Sequence, residues 1–207
     1  MAPRWTRLAA LTAVAALAGC GGGSSKTSST PAKASPVRSA LNQRVLRAGE
    51  FPGLESTGAP DFAADAQAWA RSAETSNPAK EAARLKALGF GGALAEHLQA
   101  TGSRPAAGLS LVQQMGSAGS ARAELAAEYK RTPAAEAFKP FPAPGIPGAR
   151  GFDLVGGGHV GHNVVFADGR YYYLVGAGFP TGTPKAPTQA QVVSAAKTLY
   201  TRVHGLH

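Results

Sequence analysis

The chain has 207 residues, of which 44% are hydrophobic and only 16% charged, with a formal net charge of +9. Soluble domains carry about a quarter charged residues, and part of the deficit lies in the first 39 positions. The remaining stretch of about 168 residues suits one domain with a sizeable core. There is no triplet period, no heptad run and no long apolar run beyond the N-terminus, which excludes collagen, coiled coil and multi-pass membrane protein.

The leader comes first. Arg4 and Arg7 form a short basic region, and Leu8 to Leu17 is an uncharged apolar segment too short to span a ~30 Å hydrocarbon core. It ends in Leu17-Ala18-Gly19-Cys20. Small residues at 18 and 19 suit an extended strand in a peptidase cleft, and the thiol that follows is a nucleophile for thioether formation. The segment resembles the lipobox of bacterial lipoproteins. That resemblance implies a diacylglyceryl group on Cys20, removal of residues 1–19 as a signal peptide, and anchoring to the cell membrane on its outer side. Two acyl chains hold firmly at ~0.8 kcal/mol per buried CH₂. Cys20 is the one cysteine of the chain, so disulfides, thiol catalysis and Cys-rich metal sites are excluded.

Residues 20–39 read as the lipidated cysteine and a flexible Gly/Ser/Thr/Pro tether, and residues 40–207 as a single extracytoplasmic domain. Charge follows this division. The first 39 residues hold five of the 21 basic side chains and none of the 12 acids, which leaves the domain at +4. No basic stripe interleaves with aromatics, so nucleic acid is not an expected partner. Membrane attraction through the tether is the simpler reading.

Within the domain, Asp61 is expected to cap a helix to about Thr75, because Phe62, Ala66, Trp69 and Ala73 recur at helical spacing. Asn77-Pro78 starts a second helix, which ends at Leu88-Gly89. Residues 90–99 stay open between strand and helix: Gly91-Gly92 argues against a helix and Ala93-Leu94-Ala95-Glu96 for one. Leu109 to Met115 reads as a strand. Ser117 or Ser120 then caps a helix to about Lys130. The proline-rich run from Lys139 to Gly148 reads as irregular, and Gly151 to Val155 as extended again.

A hairpin follows over about 159–176. With Asp168-Gly169 as a two-residue turn, Phe166 faces Tyr171, Val165 faces Tyr172 and Val164 faces Tyr173. Both faces are then apolar, so the hairpin belongs in the middle of a sheet covered on each side. A C-terminal helix over about 188–204 is capped by Thr188 with Gln191 and carries Val192, Ala196, Leu199 and Val203 inward. The predicted class is α+β, an antiparallel sheet packed by helices. In element order alone it is loosely similar to PsbP-like small domains of bacterial lipoproteins.

Candidate chemistry is sparse. Gly156-Gly157-Gly158-His159-Val160-Gly161 spells a dinucleotide-binding pattern, but a strand rather than a helix follows it, so a hairpin turn or bulge is the better reading and no cofactor is expected. His159 and His162 lie three apart on a strand and point to opposite faces, so no metal site is expected from them. Ser117 lacks the first glycine of a nucleophile elbow. His162 with Tyr171 and Tyr173 is the candidate ligand-binding constellation, and no catalytic residue is assigned. The sequence therefore favours a non-enzymatic module for a small ligand or an envelope protein. One alternative is an envelope hydrolase or metal-dependent enzyme using His159, His162 and Asp153, and another is a structural or assembly factor.

Overall fold

The computed structural model describes residues 35–73, 77–101, 105–131 and 137–206. Cys20 and the leader lie outside them. Among the described residues there are eight strands, β1 (Leu54–Ser56), β2 (Asp61–Ala63), β3 (Gly92–Ala100), β4 (Ala107–Gln114), β5 (Ala137–Phe141), β6 (Arg150–Gly156), β7 (His159–Asp168) and β8 (Tyr171–Pro180). Among them there are also five helices, α1 (Pro36–Asn42), α2 (Ala66–Ser72), α3 (Pro78–Ala87), α4 (Ala118–Arg131) and α5 (Gln189–Val203). All strand pairs are antiparallel, in the order β1-β3-β4-β8-β7-β6-β5, with β2 also paired to β3. The fold is α+β, and the 159–176 hairpin is central.

Alternation along β7 and β8 sends their residues to two different cores. Val164, Phe166, Tyr173 and Val175 meet Val192, Leu199 and Val203 of α5, together with Leu41, Val45, Leu46 and Phe51 from the N-terminal segment. Val165 and Tyr172 meet Leu125 of α4, along with Ala93, Ala95, Leu111 and Phe152. Each face is thus covered by helix, as two apolar faces require.

Several caps form where side-chain chemistry places them. The Asn77 side chain accepts from Lys80 N–H at 3.0 Å with Pro78 opening α3. Thr188 and Gln191 close a capping box on α5. Ser117 Oγ accepts from Ser120 N–H at 3.0 Å at the head of α4.

Three expectations change and one open segment is settled. Asp61 begins no helix: Asp61–Ala63 pairs with Ala93–Ala95, and Asp65 caps the helix instead, accepting from Ala68 N–H at 2.8 Å. Phe62 packs on the α5 core while Trp69 packs on the opposite one, so their helical spacing is incidental. Residues 92–100 are strand because neighbours on both edges supply ladder partners, which outweighs the helix propensity of the alanines. Within the proline-rich run, residues up to Phe141 form β5; Pro140 is tolerated because β5 is an edge strand, paired only to β6. Finally, α1 begins at Pro36, inside the stretch read as tether, and Leu41 anchors it at 0% exposure.

The hairpin turn also moves by one residue. Asp168 pairs with Tyr171, so Gly169-Arg170 is the loop, and of these two only Gly169 has positive φ, +54°. A glycine at the first loop position is the II′ pattern; Asp168 is spared the left-handed conformation that the expected turn required of it. The register therefore slips by two, with Phe166 opposite Tyr173, Val165 opposite Leu174 and Val164 opposite Val175 in place of the expected pairs; an even slip keeps the parity, so every residue stays on its expected face.

An ion pair ties the two ends of the domain. Arg202 Nε donates to Glu50 Oε1 at 2.8 Å, and Arg202 also donates to the carbonyls of Gln43 and Val45. Burial works against ionisation of Glu50, but hydrogen bonds from Arg202 and Arg47 N–H and their charges outweigh it and hold the carboxyl below its usual value. A depressed folded-state pKa stabilises the fold above the unfolded value, and the gain is lost as pH falls through the folded one. Glu50→Gln should therefore shrink the loss of melting temperature between pH 7 and acid pH; an unchanged acid limb would show that the pair contributes nothing.

Candidate functional site

Helix α4 covers only part of its face of the sheet. Past Val165 and Leu111 the strands continue without it, and a groove of ≈ 360 Å³ opens there. Among the described residues, none that lines it belongs to a helix. Its geometry follows from register. One row of partners crosses four strands as His97, Leu109, Gly176 and Asn163. The next crosses as Gln99, Ala107, Gly178 and Gly161, and His159 stands opposite Pro180 in the row beyond. Three strand spacings make each row about 14 Å long. Apolar and small residues of β4 and β8 occupy the middle, and polar residues of β3 and β7 stand at the two sides.

Asn163 is the unusual member. It is 7% exposed, yet its Nδ2 has no hydrogen-bond partner among the described residues. A buried unsatisfied amide group costs ~1–3 kcal/mol. The side chain lies over Gly176, where an added Cβ would sit 2.4 Å from Asn163 Oδ1. The histidines at the rim are each held by one nitrogen. His159 Nδ1–H donates to the Gly157 carbonyl at 3.0 Å, which leaves Nε2 as an acceptor in the neutral ring. His97 Nε2 lies 3.1 Å from Asp61 Oδ2.

His162 faces the other way, toward α5. Its Nδ1 lies 2.6 Å from Asp153 Oδ1, and Gln189 Nε2 donates to Asp153 Oδ2 at 2.8 Å. Phe179 and Phe141 meet its ring edge-on at 5.3 and 6.4 Å. This cluster fastens the first turn of α5 to β6 and β7. The structure therefore joins His162 to Asp153 and places His159 across the sheet from both, so the three residues of the enzymatic alternative do not converge. Among the described residues no three metal-ligating side chains gather.

Tyr171 and Tyr173 share the His162 face but lie farther along it, at 7% and 0% exposure. Tyr173 stacks on Phe166 at 4.6 Å, its hydroxyl accepts from Arg44 Nη1 at 3.2 Å, and the Arg44 guanidinium lies 3.9 Å above the Tyr171 ring. Burial pushes the Tyr173 phenol up to about 12, against the partial opposition of Arg44. Both belong to the core under α5. Gly156–Gly161 is the hairpin joining β6 and β7: Gly157 and Gly158, both at positive φ, form its two-residue turn, and no helix N-terminus follows to meet a pyrophosphate.

Asn163, Leu109, Leu174, Gly176 and Gly178 were not singled out in the sequence. Their signal was there to find: glycines at alternate positions of a strand mark a place where another group approaches the backbone.

No protein-family model and no curated protein matches this chain. In fold it is similar to the extracellular domain of PknH from Mycobacterium tuberculosis, with a TM-score of 0.53 and 12% identity over 79% of this chain and 95% of that one. The likeness lies in architecture. An Rv0999 ortholog from Mycobacterium smegmatis aligns over 73% of this chain and 90% of its own at 13% identity, but its TM-score of 0.32 is too low to establish a common fold.

Proposed function

We propose that this chain is a lipid-anchored, extracytoplasmic and non-enzymatic module that binds a small, largely apolar molecule in the β3-β4-β8-β7 groove. The groove carries the reading: it is concave, apolar at its centre, edged by a few polar groups, and of a volume within the usual ~300–1,000 Å³ of small-molecule sites. The lipobox-like Leu17-Ala18-Gly19-Cys20 supports the anchor, and among the described residues no helix is long and apolar enough to cross a membrane. The fold shared with a domain described as extracellular accords with that compartment.

Cys20→Ser tests the anchor: the variant should leave the membrane fraction for the soluble one, and membrane retention would refute lipidation. The neutral fluorophore N-phenyl-1-naphthylamine tests the groove. It should brighten on binding the wild type, and Leu174→Arg, which sets a charge in the groove's apolar centre, should weaken that binding more than about tenfold, given the cost of burying an unpaired charge. Leu109→Arg serves as the second variant. Unchanged probe binding in both folded variants would place the site elsewhere.

A further inference from the structure

Small residues make most of the floor of the groove. Gly176 and Gly178 alternate along β8 on one face, and beside Gly178 stand Gly161 of β7 and Ala107 of β4. Small residues thus form the floor around Gly178, bounded by the Asn163 side chain over Gly176, with Leu109 and Leu174 as an apolar shoulder. Such a floor is flat on the scale of a ring and wide in both directions, whereas a single alkyl chain would leave most of it uncovered. Among the described residues, the lining holds His97 and His159 but no Asp, Glu, Lys or Arg, so no permanent charge there pairs a charged ligand.

Asn163 adds a direction. Its amide lines the groove, is more than nine-tenths buried, and has a nitrogen without a partner among the described residues. The χ2 torsion of asparagine is broad, so the amide can turn either end toward the groove. Turned inward, the Nδ2 group would donate to an acceptor on a ligand.

We infer that the groove takes a planar, uncharged ring compound bearing a hydrogen-bond acceptor such as a carboxamide oxygen, its ring on the small-residue floor and its acceptor against Asn163. This rests on the ligand-binding reading of the same groove and narrows it to a chemical class.

Three probes separate the claims on the full chain, each competed against N-phenyl-1-naphthylamine. They are 2-naphthamide, the similarly shaped 2-isopropenylnaphthalene that cannot form the amide hydrogen bonds, and decanamide, which keeps the amide on a flexible chain. The wild type should bind 2-naphthamide about tenfold more tightly than either comparator. Asn163→Leu should erase the difference between the two naphthalenes while leaving the apolar one bound, and Asn163→Ala reads the same difference should the leucine variant fold poorly. Gly178→Leu, which raises a side chain from the floor, should weaken both naphthalenes more than about tenfold. Equal wild-type affinity for the two naphthalenes, or decanamide binding as tightly as 2-naphthamide, overturns the inference and leaves the groove as a site. If instead the probes bind but none responds to Gly178→Leu, the groove reading itself fails.

Discussion

Tyr173→Ala is expected to lower the unfolding free energy by about 3–5 kcal/mol, the range for removing a large buried ring. Tyr173 is fully buried and stacks on Phe166 at an interplanar angle of 10° in the larger core, so its removal empties the centre of the β7–β8 hairpin. Tyr173→Phe separates ring from hydroxyl. It removes one acceptor from Arg44, which keeps its stack over Tyr171 and its bond to the Leu206 carbonyl, so about 1 kcal/mol is expected. The phenol has a further signature. Because its folded-state value is pushed up to about 12, the unfolded chain releases the proton first as pH rises above about 10, and stability falls across that window. Tyr173→Phe should flatten this alkaline loss in urea titrations. Wild-type alkaline behaviour in the phenylalanine variant, or a loss under 1 kcal/mol in the alanine variant, would contradict the packing described.

Gly151→Ala should destabilise by about 1–3 kcal/mol through overpacking. An added Cβ would lie 2.3 Å from the Phe141 ring and 2.7 Å from the Phe141 carbonyl oxygen. The ring can swing aside, but the carbonyl belongs to the ladder partner of Gly151, so β5 itself must move. Gly176→Ala makes the informative contrast. Its Cβ meets first the Asn163 side chain, at 2.4 Å, and the nearest backbone atom, the His162 carbonyl oxygen, stands back at 3.2 Å. The smaller melting shift of the two is therefore expected at Gly176, with the larger effect on ligand binding. Both are read by thermal melts, and equal melting shifts would show that the close contacts are not what sets the cost.

Caps, hairpins and faces were legible in the sequence because each rests on local chemistry. Asn77-Pro78, Thr188 with Gln191, and Gly157-Gly158 need only neighbours within a few residues. The inward and outward sets of the 159–176 hairpin survive a moved turn, because parity along a strand is robust where the loop position is not. What was hidden depends on distant partners. Phe62 lies in a strand because Leu94 stands opposite it, and Ala93-Leu94-Ala95-Glu96 is strand because β2 and β4 flank it. The candidate site shows the same limit. Sequence reasoning drew attention to His162, Tyr171 and Tyr173, residues rich in chemistry, which face the α5 side of the sheet. The groove is made largely by what is missing, a helix that ends its cover early and glycines that carry no side chain. Only the register, which puts Leu109, Gly176 and Asn163 in one row, reveals it.

Amide-resolved NMR of the full chain, titrated with N-phenyl-1-naphthylamine, tests the ligand-binding groove most directly. The account predicts saturable shift changes concentrated at Leu109, Asn163, Leu174, Gly176 and Gly178, with His162 and Tyr173 on the opposite face nearly still. Changes centred on the α5 side, or none along that row at saturating probe, would contradict it.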